Sequence, residues 1–186
     1  QHLLDAAHGM GLKVVLDERG PPESHRFHVV RNHAPLGPSG ARNAGIEVAS
    51  GDVVTFLDDD DYLLPNHLSV LTQAQAETGA DLLWPWFRVQ GGTDPFPQHR
   101  GLQWDPEHPH LFPITVLVRR EMFLDLGGFD DGVMEDPNDP GSGRMVNGED
   151  WRMWLRMSAA GAKFHHVDEV TWVWLHHGRN SSGRPD

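Results

Sequence analysis

The sequence has no cysteine, only two lysines, little positive charge and no long apolar run. Without Cys there is neither a disulfide framework nor a thiolate zinc site. That fits a reducing compartment, so a cytoplasmic location is expected. The 27 Asp and Glu against 15 Lys and Arg leave a formal net charge of −12, with 13 His counted neutral. Such a chain offers no basic stripe to neutralise a phosphate backbone, so nucleic acid is excluded as a general partner. It is equally ill-suited to an anionic membrane surface. No stretch approaches the ~18 apolar residues that a membrane-spanning helix needs. The opening residues carry neither the basic start nor the apolar run of a signal peptide.

What is present is enough for a core. At 38% hydrophobic residues the chain is too apolar to stay disordered. A domain of 186 residues should bury roughly 70% of its unfolded surface. A short helix is expected at Leu3–His8, and strands at Lys13–Leu16 and Phe27–Val30. A helix is expected over Ala41–Ala49 and a buried strand over Val53–Leu57. Next come a helix from Pro65 to Thr78, a strand from Asp81 to Val89 and a Pro-rich irregular stretch, Gly91–Pro109. Ile114–Val118 reads as a strand, Arg120–Leu126 as a helix and Asp130–Gly148 as a loop. Glu149–Ala160 reads as a helix, and Lys163–Val167 with Val170–Leu175 as a closing hairpin. Alternation of strand and helix predicts an α/β fold in one domain over residues 1–186, its sheet mixed, mostly parallel and flanked by helices.

Four consecutive carboxylates, Asp58 to Asp61, follow the strand at Val53–Leu57. Adjacent carboxylates repel, and holding four at a strand end is costly unless a cation offsets them. Capping the following helix would use one or two of them, not all four. Hard oxygen donors point to Mg²⁺ or Mn²⁺. The spacing is not that of an EF-hand: counted from Asp58, the sixth position is Leu63 and the twelfth Ser69. A second acidic pair, Glu149-Asp150, opens a helix about 90 residues on, and only folding could bring it near the first. Seven Trp are many for this length. Trp84 and Trp86 lie two apart on one strand, as do Trp172 and Trp174; they either fill the core or offer faces to a sugar ring. Trp86 with Arg88 is the candidate acceptor contact.

These segments form a recognisable series. Gly37–Leu68 contains Ala41-Arg42-Asn43-Ala44-Gly45, a strand, the Asp58–Asp61 run and Pro65. Ile114–Asp131, Gly148–Gly161 and His176–Ser182 follow in order. Together they resemble family 2 glycosyltransferases of the GT-A (nucleotide-diphospho-sugar transferase-like) fold, with a match over about Asp17 to Ser182. Members usually open with a further strand and a loop that holds the nucleobase. That strand is absent here: either the chain is trimmed or its sheet begins with another element. An edge covered by a partner chain, as in a homo-oligomer, is a further expectation.

The resemblance implies metal-dependent transfer of a sugar from a UDP- or GDP-linked donor to a hydroxyl of a glycan, lipid or protein, with inversion. It implies that Asp60 coordinates the cation, Mn²⁺ or Mg²⁺, with Asp58 and His177 beside it. Asp17, Arg42, Asp58 and Asp59 would contact the donor. Asp150 would be the general base, with Glu149 next to it in the catalytic pair. Two rival readings are a sugar-nucleotide nucleotidyltransferase and a non-enzymatic carbohydrate- or cation-binding module. The first lacks its usual Gly-rich, basic triphosphate loop; turnover of a nucleotide-sugar would separate the second.

Overall fold

A computed structural model describes residues 13–17, 26–31, 36–130, 132–135 and 145–177. The expected helix at Leu3–His8 and the tail beyond His177 lie outside the described residues. The chain divides into two compact units, each built from two stretches of sequence. Unit 1 comprises Gln1–Val54 and Arg119–Met157; unit 2 comprises Thr55–Val118 and Ser158–Asp186.

In unit 1, β1 (Lys13–Asp17) and β2 (Arg26–Val30) pair antiparallel, Lys13 opposite Val30 and Asp17 opposite Arg26. Together they form a two-stranded sheet of their own. Helix α1 (Gly37–Val48) starts earlier than its apolar pattern suggests, because Gly37 takes φ +65° and Pro38 suits a first turn. Ser39, Arg42 and Ile46, spaced by three and four, form its buried face. Helix α2 (His67–Thr78) belongs to unit 2, and α3 (Arg120–Asp125) returns the chain to unit 1. Helix α4 (Glu149–Ala159) buries Trp151, Met153, Trp154 and Met157, so its two tryptophans pack inward as their spacing requires.

The expected loop Asp130–Gly148 is in part a hairpin, β7 (Val133–Glu135) antiparallel to β8 (Met145–Asn147). Its glycines, prolines and acids hide two strands of three residues each, too short for a period to show.

Unit 2 is organised on β5 (Leu82–Gln90), whose residues Leu82 to Phe87 are all buried. Its partner β9 (Phe164–Leu175) runs parallel, from Leu82 opposite Phe164 to Gln90 opposite Leu175. The sequence reads this region as a hairpin; the structure corrects that to one strand of 12 residues. Exposed Asp168 and Glu169 resemble a turn, but they are a bulge: Pro85 faces Val167 and Trp86 faces Val170. Proline inside a central strand is tolerated at such a bulge.

The five-stranded order is β3 (Val53–Thr55), β6 (Leu117–Arg119), β5, β9, β4 (Tyr62–Leu63). β5–β6 and β4–β9 are antiparallel, so the sheet is mixed, with its longest pairing parallel. β4 is two residues long and has no signal in the sequence.

The Pro-rich stretch after β5 is a packed part of unit 2. Phe112 stacks on Trp84 with ring centroids 4.6 Å apart, and His166 lies on Trp84 at 5.2 Å. Trp104 stacks on Phe164 at 4.6 Å and donates its indole N–H to Ser158 Oγ at 2.9 Å. Gln103 pairs with the His166 backbone, accepting its N–H at 2.9 Å and donating to its carbonyl at 3.2 Å. Trp86 corrects another expectation. At 2% exposure, stacked on Phe87 and clustered with Trp172 and Trp174, it has no face left for a sugar. Arg88 on the same strand is exposed.

Candidate functional site

In unit 2 the chain leaves β3 through buried Phe56 and exposed Leu57 and enters the acid run. Asp58 to Asp61 form a tight turn, closed by the Asp61 N–H donating to the Asp58 carbonyl at 3.1 Å. Asp is favoured at the first position of such turns. β4 then seats the chain against β9, Tyr62 opposite Val173 and Leu63 opposite Trp172. The Leu175 N–H donates to Asp61 Oδ1 at 2.9 Å, so the last residue of β9 is tied directly to the run. Two residues further on, His177 Nε2 lies 2.9 Å from Asp60 Oδ2, with both side chains about one-third exposed.

The electrostatics show the strain of this arrangement. Burial pushes the Asp61 carboxyl up to about 7, and the charges of Asp60, Asp58 and Asp59 push the same way. The Leu175 amide opposes them without cancelling them. Burial dominates that rise, and the neighbouring carboxylates add a repulsion that a bound cation would offset. Among the described residues no three His, Asp or Glu converge on one point as a ready cage. Mg²⁺-like ions rarely need such a cage. They are usually held by one or two carboxylates and complete their shell from substrate phosphates and water. Of the residues expected to hold one, the structure brings Asp60 and His177 together.

The end of β9 reaches this position through a close approach. Gly91, φ +92°, lies so near the His176 carbonyl that an added Cβ would stand 2.4 Å from that oxygen. The His176 N–H donates to the Gln90 carbonyl at 2.8 Å.

The second acidic pair belongs to unit 1. Glu149 is buried and accepts from Arg42 Nη1 at 2.6 Å. The Arg42 guanidinium also lies 5.5 Å from the centre of the Phe129 ring. The pairing with Arg42 engages Glu149 Oε1 and ties the start of α4 to α1. Asp150 is half-buried in the first turn of α4, its Oδ1 accepting the Trp151 N–H at 2.7 Å.

Asn43, within the Ala-Arg-Asn motif, has a role the sequence alone does not disclose. Its side-chain amide donates to the Phe129 carbonyl at 2.7 Å, and its Oδ1 accepts the Phe129 N–H at 2.9 Å. Ser39 Oγ donates to the Asp130 carbonyl at 3.0 Å, while Arg152 holds the Asp130 carboxylate at 2.9 Å. The Gly127–Asp130 turn is thereby fastened by α1 and α4 together. Asp17 ends β1 as expected. Asp58, Asp59, Asp60 and His177 belong to unit 2, whereas Asp17, Arg42, Glu149 and Asp150 belong to unit 1.

Comparison with known proteins identifies the family and the fold. Residues 11–127 match the family model described as glycosyl transferase family 2. A 41-residue stretch is 56% identical to the GalNAc(5)-diNAcBac-PP-undecaprenol beta-1,3-glucosyltransferase of Campylobacter jejuni, covering 22% of this chain and 13% of that protein. Over 82 residues the chain is 39% identical to the succinoglycan biosynthesis protein ExoW of Rhizobium meliloti, covering 43% of this chain and 24% of that one. Among solved structures, S. aureus TarS in complex with UDP-GlcNAc aligns with a TM-score of 0.58 at 19% identity, over 80% of this chain and 42% of that one. The mannosyltransferase PcManGT from Pyrobaculum calidifontis, in complex with GDP-Man and Mn²⁺, aligns at 0.56 and 18% identity, over 82% and 40%. At such identities the structural likeness speaks for the fold, and the α/β GT-A class read from the sequence stands.

Proposed function

The chain belongs to glycosyl transferase family 2, and on that premise we propose that it transfers a sugar from a nucleotide-diphosphate sugar to an acceptor hydroxyl. The donor is UDP- or GDP-linked, the two kinds bound by the structural neighbours. The acceptor is a hydroxyl of a glycan, lipid or protein. Asp60, Asp58 and His177 hold a divalent cation, Mn²⁺ or Mg²⁺; Asp17, Arg42 and Asp59 serve the donor side; Asp150 is the base. The observation that carries the reading is the meeting of His177 with Asp60 on a self-repelling turn of four carboxylates.

The chemistry follows from charge. Cleaving the bond from the sugar to the diphosphate leaves its electron pair on a phosphate oxygen. A bound cation supplies Lewis-acid stabilisation of that leaving charge. The acceptor oxygen attacks the anomeric carbon from the opposite face and gives up its proton to the Asp150 carboxylate. This displacement inverts the anomeric centre. Arg42 contributes in a second way, since its pairing with Glu149 fixes the first turn of α4, on which Asp150 stands.

Thermal melting against a panel of UDP- and GDP-sugars, with and without Mn²⁺, tests the proposal. A nucleotide-sugar that binds only the folded, cation-loaded chain raises the melting temperature by mass action, by about 2.7 kcal/mol of stabilisation at 100 times its Kd. A panel with no shift from any nucleotide in Mn²⁺ would rule the reading out.

A further inference from the structure

His67 stands in the first turn of α2 with 1% of its surface exposed. Its Nδ1 lies 2.9 Å from Thr171 Oγ1, in β9, and its Nε2 3.2 Å from Thr55 Oγ1, the last residue of β3. A neutral imidazole donates from one nitrogen and accepts at the other, and a hydroxyl does either. Both bonds therefore form whichever tautomer is present. Burial holds this imidazole neutral down to about pH 4, so the bridge adds no charge near the acid run.

The two bridged strands lead straight to the candidate cation ligands. Asp58 follows Thr55 by three residues, and His177 follows Thr171 by six. Thr171 is itself an anchor for both flanks of the acid run. Its carbonyl accepts the Leu64 N–H at 2.8 Å, on the far side of the run. Its hydroxyl, through His67, reaches Thr55 on the near side. Regular pairing here is scant, because β3 has three residues and β4 two. Four adjacent carboxylates between such short strands repel one another, and the turn that carries them needs holding from outside.

We infer that the Thr55–His67–Thr171 bridge is a positioning device that sets where Asp60 and His177 meet, and so tunes cation binding without touching the cation or the substrate. The inference rests on the cation reading given above. A side chain that merely filled the core would affect folding and leave cation affinity alone. Positioning of this sort is what outer-shell hydrogen bonds do for metal ligands elsewhere.

The test is a titration of the full chain with Mn²⁺ alone at neutral pH, free Mn²⁺ being read by electron paramagnetic resonance. Thr171→Val removes the hydroxyl at nearly constant volume, Thr171→Ser keeps it, and Asp60→Ala marks the cation site itself. Thr55→Val breaks the bridge at its less buried end, should Thr171→Val not fold. The expected result is Mn²⁺ affinity lowered about tenfold in the two Val variants and kept within about twofold in Thr171→Ser. Folded Val variants that bind Mn²⁺ like the parent would overturn the positioning role while leaving the cation reading intact. Binding in Asp60→Ala equal to that of the parent, or no binding by the parent, would remove the cation reading and the inference with it.

Discussion

Arg42 and Glu149, separated by 107 residues, meet at 2.6 Å inside unit 1, with their side chains only 6% and 11% exposed. An ion pair so shielded is costly to break from one side, because the remaining charge is left without its partner. Arg42→Met or Glu149→Leu alone should lower unfolding free energy by about 3–5 kcal/mol. The double variant should recover much of that loss, since the stranded charge is gone. Urea denaturation of the four proteins in a double-mutant cycle measures the coupling; additive losses would show that the pair does not act as a unit.

Asp60 and Asp150 should fail differently. Asp60→Ala should abolish the Mn²⁺-dependent melting shift produced by donor. Asp150→Asn should keep that shift and lower transfer by about 10²–10⁴-fold, the usual worth of a positioned base. Full transfer in Asp150→Asn would remove it from the mechanism.

Chelation offers a check that needs no mutation. In excess EDTA the chain should stay folded but lose donor-induced stabilisation, and Mn²⁺ or Mg²⁺ should restore it. The check is a melting curve with donor before and after chelation. Donor stabilisation that persists in EDTA would mean the acid turn binds without a cation.

Stability should fall on mild acidification. Burial depresses His67 and His110 from 6.5 to about 4, the charges of His99 and His166 adding to the effect at His110. Between those values the unfolded chain binds protons that the folded chain refuses, so unfolding is favoured as pH falls. The contribution is fully present above pH 6.5 and is lost progressively toward pH 4. Each histidine adds a slope of up to about 1.4 kcal/mol per pH unit in that window. Asp61, raised to about 7, takes up its proton in the folded chain first and opposes one histidine's slope. The net loss between pH 7 and pH 5 is therefore smaller than the two histidines alone would give. Denaturation at both pH values should show a smaller loss in His67→Gln than in the parent.

The Asn43 clamp should matter out of proportion to its size. Asn43→Ala leaves the Phe129 N–H and carbonyl without their side-chain partner, at a cost of about 1–3 kcal/mol for each buried group. Gly128→Ala should also destabilise, because φ is +70° and the new Cβ would stand 2.6 Å from Asn43 Oδ1. Melting of the two variants tests this, and a Gly128→Ala protein as stable as the parent would contradict the clamp.

Much of this was legible without coordinates, where the signal was local. The bounds of α4 follow from acids at its start, apolar residues at helical spacing and Gly161 beyond its end. The acid run stands out because four carboxylates in sequence repel wherever they are placed. Other features depended on neighbours. Trp86 reads equally well as a sugar platform or as core until Phe87, Trp172 and Trp174 are placed around it. β9 reads as two strands because Asp168 and Glu169 imitate a turn, and only pairing with Pro85 and Trp86 makes them a bulge. His67 and Asn43 carry no local sign of their tasks, since each acts on partners distant in sequence.

The sequence by itself determined the α/β alternation, the excess of acid and the series of blocks that marks the family, because these rest on period, composition and order along the chain. Tertiary structure decided which charges meet. It brought His177 to Asp60 across 117 residues and paired Glu149 with Arg42 across 107. The physical reason is that repulsion among like charges is written along the chain, whereas their compensation is made only by groups that folding brings within a few ångströms.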